Sequence, residues 1–273
     1  MAGYSQTICG WRGRPQPART TAFTAVMAAL ALLTSAVTVS AQAQNLVQNG
    51  SFAITGGTTS FEFSTQYNTG TGGESIADWT SGGYNFVYAP GSTAANPGSI
   101  SLATNPTSPT GGNFIASDPV YETGAPIAQV ISGLSAGKTY AVSFAWAEAQ
   151  QIGSNFNTSV SPYWAVELCA TYTSPNTCSN TTGVQNTTAI TIPTQTFSSW
   201  MYQTFNFVAT TGTELLSFTS MAPGGTPPFA LLTNVSLTRV PEPTSAAVLL
   251  SGVAGLIGFA RLRRPRAGAD PMA

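Results

Sequence analysis

The chain has no histidine among its 273 residues. That absence excludes a Ser-His-Asp triad, a Cys-His pair, an HExxH zinc site and any His-ligated metal. Charge is almost as scarce: nine Lys and Arg with ten Asp and Glu make 7% of the chain, against about 25% in an ordinary soluble domain. The polar surface must be built from Thr, Ser, Asn and Gly instead, as in exported proteins of surface matrices. Cysteine is limited to three residues, too few soft ligands for a metal pair. Any catalysis must therefore run on carboxylates.

The scarce charge is also unevenly placed. Arg12, Arg14 and Arg19 precede an uncharged run, 21–39, that holds Phe23, Val26, Met27, Leu30, Leu32 and Leu33, and Ala41-Gln42-Ala43 follows. A basic region, an apolar region and an A-x-A site in that order read as a signal peptide, 1–43, its apolar part a helix. Arg261, Arg263, Arg264 and Arg266 close the other end, behind the apolar stretch 246–260. That stretch is shorter than the roughly 20 residues a comfortable membrane helix needs. It fits a transient anchor with its arginines on the cytoplasmic side. Between these ends, 44–239 holds eight acids and only two bases, Lys138 and Arg239. An acidic domain lacks the basic footprint that nucleic acid requires.

The middle reads as one all-β domain. From Tyr140 to Trp146 the large apolar residues Tyr140, Val142, Phe144 and Trp146 alternate with small ones, the period of a half-buried strand, and Trp146 falls on the core side. Similar runs occur at 84–88, 113–116, 127–131, 163–172, 187–192, 200–209, 214–220 and 229–239, each bounded by Gly, Pro, Asn or Ser. About nine short strands without an internal helix predict a β-sandwich of the jelly-roll kind. Long polar loops at 55–73, 90–112 and 173–185 are either a binding rim or solvated connections. Asn49-Gly50 reads as a tight turn. Cys9 lies in the signal segment, whereas Cys169 and Cys178, nine apart across a turn, are placed for a disulfide in an exported protein.

Two resemblances add to this reading. Pro241, Glu242 and Pro243, the apolar stretch and the arginine cluster, in that order, resemble the PEP-CTERM sorting signal of Gram-negative bacteria. The resemblance implies a signal over 240–266 with a short transmembrane helix, a tail 267–273, and recognition by the membrane protease-transpeptidase exosortase. The chain would touch the inner membrane transiently and end at the cell surface or in the extracellular matrix. Within the domain, the segments 45–52, 129–134, 137–140 and 232–237 resemble the galactose-binding-like jelly rolls of many carbohydrate-binding modules. That family often has a structural calcium site with acids where this chain has Ala53 and Thr233, which puts calcium in doubt. No other metal or cofactor is expected.

Glycoside hydrolysis is the one catalytic class left open, because it needs only two carboxyl groups about 5 to 9.5 Å apart. Glu148 and Glu167 both lie among aromatics and are the candidate pair. The competing reading leaves each as a solvated strand residue. Sugar binding without catalysis fits the composition better, with Trp79, Tyr84, Trp164, Trp200 and Tyr202 as candidate stacking residues. These aromatics are equally at home in a sandwich core. The expected function is thus an exported surface or matrix protein, adhesive or associated with exopolysaccharide in a biofilm. The alternatives are a carboxylate-dependent glycan-active enzyme and an inert coat protein.

Overall fold

The alternation that begins at Tyr140 continues into one of the two twelve-residue strands of its sheet, and the neighbours of that strand organise the domain. The structure is a computed structural model that describes residues 44–56, 60–63, 74–92, 94–95, 100–120, 126–153, 159, 161–173, 177–179, 183–223 and 228–242. Residues 1–43, expected to be a signal peptide, and those from Pro243 onward, expected to be a sorting tail, lie outside the described residues, and so do the helices expected there. Among the described residues no helix is long and apolar enough to cross a membrane.

The strands in chain order are β1 (Ile54–Thr55), β2 (Phe61–Glu62), β3 (Ser75–Ile76), β4 (Thr80–Ser81), β5 (Asn85–Tyr88), β6 (Ala94–Ala95), β7 (Ile100–Ser101), β8 (Phe114–Ser117) and β9 (Ile127–Ser132). They continue with β10 (Thr139–Gln150), β11 (Tyr163–Cys169), β12 (Tyr172–Thr173), β13 (Thr177–Cys178), β14 (Gln185–Asn186), β15 (Met201–Val208), β16 (Thr213–Met221) and β17 (Pro228–Arg239). Two antiparallel sheets form the body: six strands in the order β15-β10-β17-β8-β5-β2, and five in the order β14-β11-β16-β9-β4. The domain is an all-β sandwich of the jelly-roll kind.

One core joins the sheets. Tyr140, Val142, Phe144 and Trp146 of β10 meet Trp164 and Val166 of β11 and Phe218 of β16, all buried. The Phe144 and Phe218 rings sit 5.1 Å apart, edge to face, the arrangement that aromatic quadrupoles favour. The Trp164 indole N–H donates to the Leu231 carbonyl of β17 at 3.0 Å and so crosses from one layer to the other. β17 carries a bulge: its pairing with β10 jumps from Ser236 opposite Ser143 to Thr233 opposite Ala145, and Asn234 adopts φ 55°. Against that bulge lies Gly50. A Cβ on Gly50 would sit 1.9 Å from the Val235 carbonyl oxygen, and the Val235 N–H donates to the Gly50 carbonyl at 2.9 Å. The Asn49-Gly50 step is therefore a turn, with Phe52 N–H on the Asn49 carbonyl, and also a backbone contact that only glycine permits.

Two expectations need correction. Residues 187–192 form no strand; together with 193–200 they run as a strap along the end of β10 beyond its pairing with β15. Ser198 and Glu148 exchange backbone and hydroxyl bonds there, and Gln150 N–H donates to the Thr196 carbonyl at 3.2 Å. The expected strand 163–172 stops at Cys169. The chain then turns into the β12–β13 hairpin, closed by the Cys169–Cys178 disulfide with Cα atoms 6.0 Å apart.

Candidate functional site

Because strand side chains alternate between faces, each sheet also has an outer face, and the two are finished differently. On the six-stranded sheet the outer face at the β5–β8 side is closed by a second apolar cluster. Phe86, Tyr88, Phe114, Ala147, Ala149, Phe229 and Leu231 are covered by Ile100 and Leu102 from the loop 90–112 and by Phe197 and Trp200 from the strap. Tyr88 stacks on Phe114 at 5.0 Å and donates its hydroxyl to the Ile100 carbonyl at 2.7 Å. That loop therefore packs Ile100 and Leu102 onto the sheet, while its described residues Thr104, Asn105, Thr107 and 109–111 stay exposed.

The outer face of the five-stranded sheet keeps an open groove. A cavity of about 290 Å³ is lined by Pro126, Ala165, Glu167, Ser217, Thr219 and Met221 of the sheet, with Thr177, Cys178 and Val184 beside it. Register explains its shape: Glu167 lies opposite Ser217 and Ala165 opposite Thr219, so small side chains make the floor and one long carboxylate rises from it. Trp164 and Val166 alternate to the inner face and anchor β11. The disulfide hairpin forms one wall, seated on Ala128 and Leu215 through Cys169 and Cys178.

Among the described residues, Glu167 is the only carboxylate lining this groove. Its Oε2 is shielded from water and has no hydrogen-bond partner among the described residues. Desolvation by burial raises its carboxyl above the usual carboxylate range. A half-buried acceptor beside hydroxyls and methyl-bearing walls can take a hydroxyl donor and an apolar ring face together.

Glu148 lies elsewhere. It shares the inner side of β10 with Trp146 and is fully buried; its Oε1 accepts the Ile190 N–H at 3.2 Å and its Oε2 has no partner among the described residues. Burial pushes its carboxyl up to about 8, and the Ile190 bond offsets this only in part. Glu148 thus faces the interior and Glu167 faces out from the other sheet. The structure does not bring the pair together across a cleft, and the two-carboxylate geometry of a glycosidase is not formed by them.

The stacking candidates also separate. Trp79 and Trp164 are core residues: the Trp79 indole N–H donates to the Gln48 and Asn49 carbonyls at 3.2 and 3.1 Å, its ring packs 5.0 Å from Phe52, and Trp164 is wholly buried. Neither presents a face to a ligand. Tyr84 is half-buried against Phe86, and Trp200 packs on Phe114 while donating to the Thr107 carbonyl at 2.6 Å. Tyr202, 72% exposed, stands free on β15, on the other sheet from the groove. The groove itself was invisible to sequence reasoning except for Glu167. Ser217, Thr219 and Met221 are ordinary alternating residues until register gathers them beside the hairpin.

Just beyond β17, Glu242 forms ion pairs with Lys138 and Arg239. The Lys138 hydrogen bond and charge lower its carboxyl below the usual range. Pro241 is described beside it, whereas Pro243, Arg261, Arg263, Arg264 and Arg266 lie outside the described residues. The calcium implied by the jelly-roll resemblance has no fit here. Ala53 offers no side-chain oxygen, and the Thr233 hydroxyl donates to the Asn113 carbonyl at 2.7 Å. Among the described residues no three His, Cys, Asp or Glu side chains gather to hold a metal.

Known proteins compare with the chain as follows. No protein-family model matches it, and no curated protein does. Among solved structures it is similar to a CBM4 domain, with 19% identity over 71% of this chain and 99% of that one and a TM-score of 0.34. It is similar to the CBM22-1 xylan-binding domain from Paenibacillus barcinonensis, with 11% identity over 74% and 97% and a TM-score of 0.35. A third is the K3 cleaved adhesin domain of Lys-gingipain from Porphyromonas gingivalis, with 18% identity over 59% and 92% and a TM-score of 0.37. The architecture of the present chain rests on its own strand order and core.

Proposed function

We propose that this chain is a non-catalytic glycan-binding protein that holds a sugar in the groove of the five-stranded sheet. The observation that carries the reading is the Glu167 carboxyl, which lines the groove on a floor of small residues and is flanked by Ser217 and Thr219. A carboxyl there accepts a sugar hydroxyl, while Ala165, Val184 and Met221 meet the apolar ring face. The volume suits one or two sugar units, consistent with the lower range of ligand sites.

The export and sorting reading belongs to the same proposal. The signal segment 1–43 would direct secretion, and 240–266 would be recognised by exosortase at the inner membrane of a Gram-negative bacterium. The mature domain would then reach the cell surface or matrix and hold exopolysaccharide there, in an adhesive role. What supports this is the order of motif, apolar stretch and arginines at the C-terminal end of the sequence.

Two experiments test the proposal. Purified protein applied to a panel of neutral and acidic glycans is expected to bind at least one class, and Glu167→Gln to weaken that binding about tenfold, the equivalent of one lost hydrogen bond to a charged group. Binding that Glu167→Gln leaves unchanged would remove the groove from the proposal. Intact mass of the protein from host envelope and medium, with and without exosortase, is expected to show loss of the tail only when exosortase is present.

A further inference from the structure

The segment that opens the described structure is clasped to the far end of β17. Asn45 forms an isolated antiparallel bridge with Thr238, and Leu46 N–H donates to the Leu237 carbonyl at 2.8 Å. The Asn45 side-chain oxygen accepts the N–H groups of Val47 and Leu237 at 3.1 and 2.9 Å. Val47 then enters the main core, and the Gln129 side-chain amide exchanges two bonds of 2.8 Å with the Gln48 backbone. From Asn45 inward the chain is held. Gln44 precedes the clasp: it is exposed, belongs to no strand, and takes part in none of these bonds.

The bond before Gln44 is also the one at which the A-x-A site, Ala41-Gln42-Ala43, ends. Hydrolysis there would make Gln44 the first residue of the mature chain, with a free α-amine. Glutamine is a special residue in that place, because its amine reaches its own side-chain carbonyl carbon in an unstrained five-membered ring. Asparagine would need a strained four-membered one. Ring closure is prevented where a fold ties down the amine or the side-chain amide. Here the clasp begins one residue later and uses the side chain of Asn45, so Gln44 is left free to close.

We propose that Gln44 is a modification site at which the mature chain caps itself as pyroglutamate. The α-amine nitrogen bonds to Cδ of its own side chain and the Cδ–Nε2 bond breaks. The amide nitrogen leaves as ammonia, carrying the proton that the amine gives up, and no oxidant, reductant or second substrate enters. The amine reacts in its neutral form, which α-amino groups reach near pH 8. The product has no N-terminal charge, so Lys138 and Arg239 remain the only bases over 44–239. It also leaves no free amine for an aminopeptidase ahead of Asn45, the residue whose side chain closes the clasp. The inference rests on the export reading for the position of the cut, and on the fold for the freedom of Gln44.

Mass spectrometry of the N-terminal peptide, from protein recovered from the host's envelope and medium, tests it. The peptide is expected to begin at Gln44 and to be lighter than its sequence by one ammonia, about 17 Da. Gln44→Asn should give the same cut with its amine free. Protein collected at about pH 5, where the amine is protonated, and then shifted to about pH 8 allows closure to be followed in time. Its rate should agree within about twofold between folded and urea-unfolded protein, since terminal residues outside the sheet open at almost no cost. A peptide that begins elsewhere overturns the cut and the proposal with it. A peptide that begins at Gln44 but keeps its amine, or closes about tenfold more slowly when folded, overturns the proposal while the cut stands.

Discussion

The two sheets share one core but differ on their outer faces. The six-stranded sheet spends much of its outer face on a second apolar cluster under the loop 90–112 and the strap 193–200, with Tyr88, Phe114, Phe229 and Leu231 shielded from water. The five-stranded sheet leaves a groove, and its added element, the disulfide hairpin, stands beside the floor rather than over it. A face covered by its own chain gains stability from apolar burial, whereas one left open retains unsatisfied groups such as the Glu167 carboxyl. The difference teaches where a ligand has room. Aromatic residues gather on the covered face, but their packing there is structural.

Breaking the covered face should have the largest effect. Phe114→Ala removes a ring stacked on Tyr88 and is expected to destabilise by about 3 to 5 kcal/mol, measured by urea unfolding, with glycan binding unchanged below the transition. Opening the disulfide by Cys169→Ser with Cys178→Ser should cost about 2 to 3 kcal/mol. It should also weaken glycan binding, since Cys178 and Thr177 line the groove. If binding survives intact, the hairpin wall has no role in it.

Glu148 sharpens the comparison through pH. The folded protein holds its carboxyl proton up to about 8, while the unfolded chain releases it near 4.5. Stability that is full in acid is therefore lost as pH rises from about 5 toward 8. Glu148→Gln should flatten that slope in thermal melts from pH 5 to 9, leaving stability near pH 5 almost unchanged. A slope that survives the substitution would assign the pH dependence to another group. The smallest effect is expected at Lys138→Met: its ion pair with Glu242 is solvent-exposed and screened, so the melting temperature should barely move.

Much of the fold was legible because strand alternation is a local property. The runs at 84–88, 127–131, 200–209, 214–220 and 229–239 correspond to β5, β9, β15, β16 and β17 within a residue or two. The 187–192 run misled because its apolar residues, Ile190 and Ile192, do pack inward, but on a strap held by Glu148 rather than in a ladder. Trp79 and Trp164 could not be told from surface aromatics, since burial depends on which face the register turns inward. The Glu148–Glu167 pairing failed for the same reason: Glu148 turns into the interior, whereas Glu167 turns to the outer face of the other sheet.

The sequence by itself determined that chemistry here could not use histidine, that Cys169 and Cys178 would pair, and that most strands would alternate. These follow from composition and from contacts close along the chain. Only the tertiary structure decided which outer face is sealed and which is open, and that Glu167 alone among the candidate carboxylates borders a groove. Those outcomes depend on register between strands far apart in sequence, such as Glu167 opposite Ser217, and a one-residue slip would reverse them.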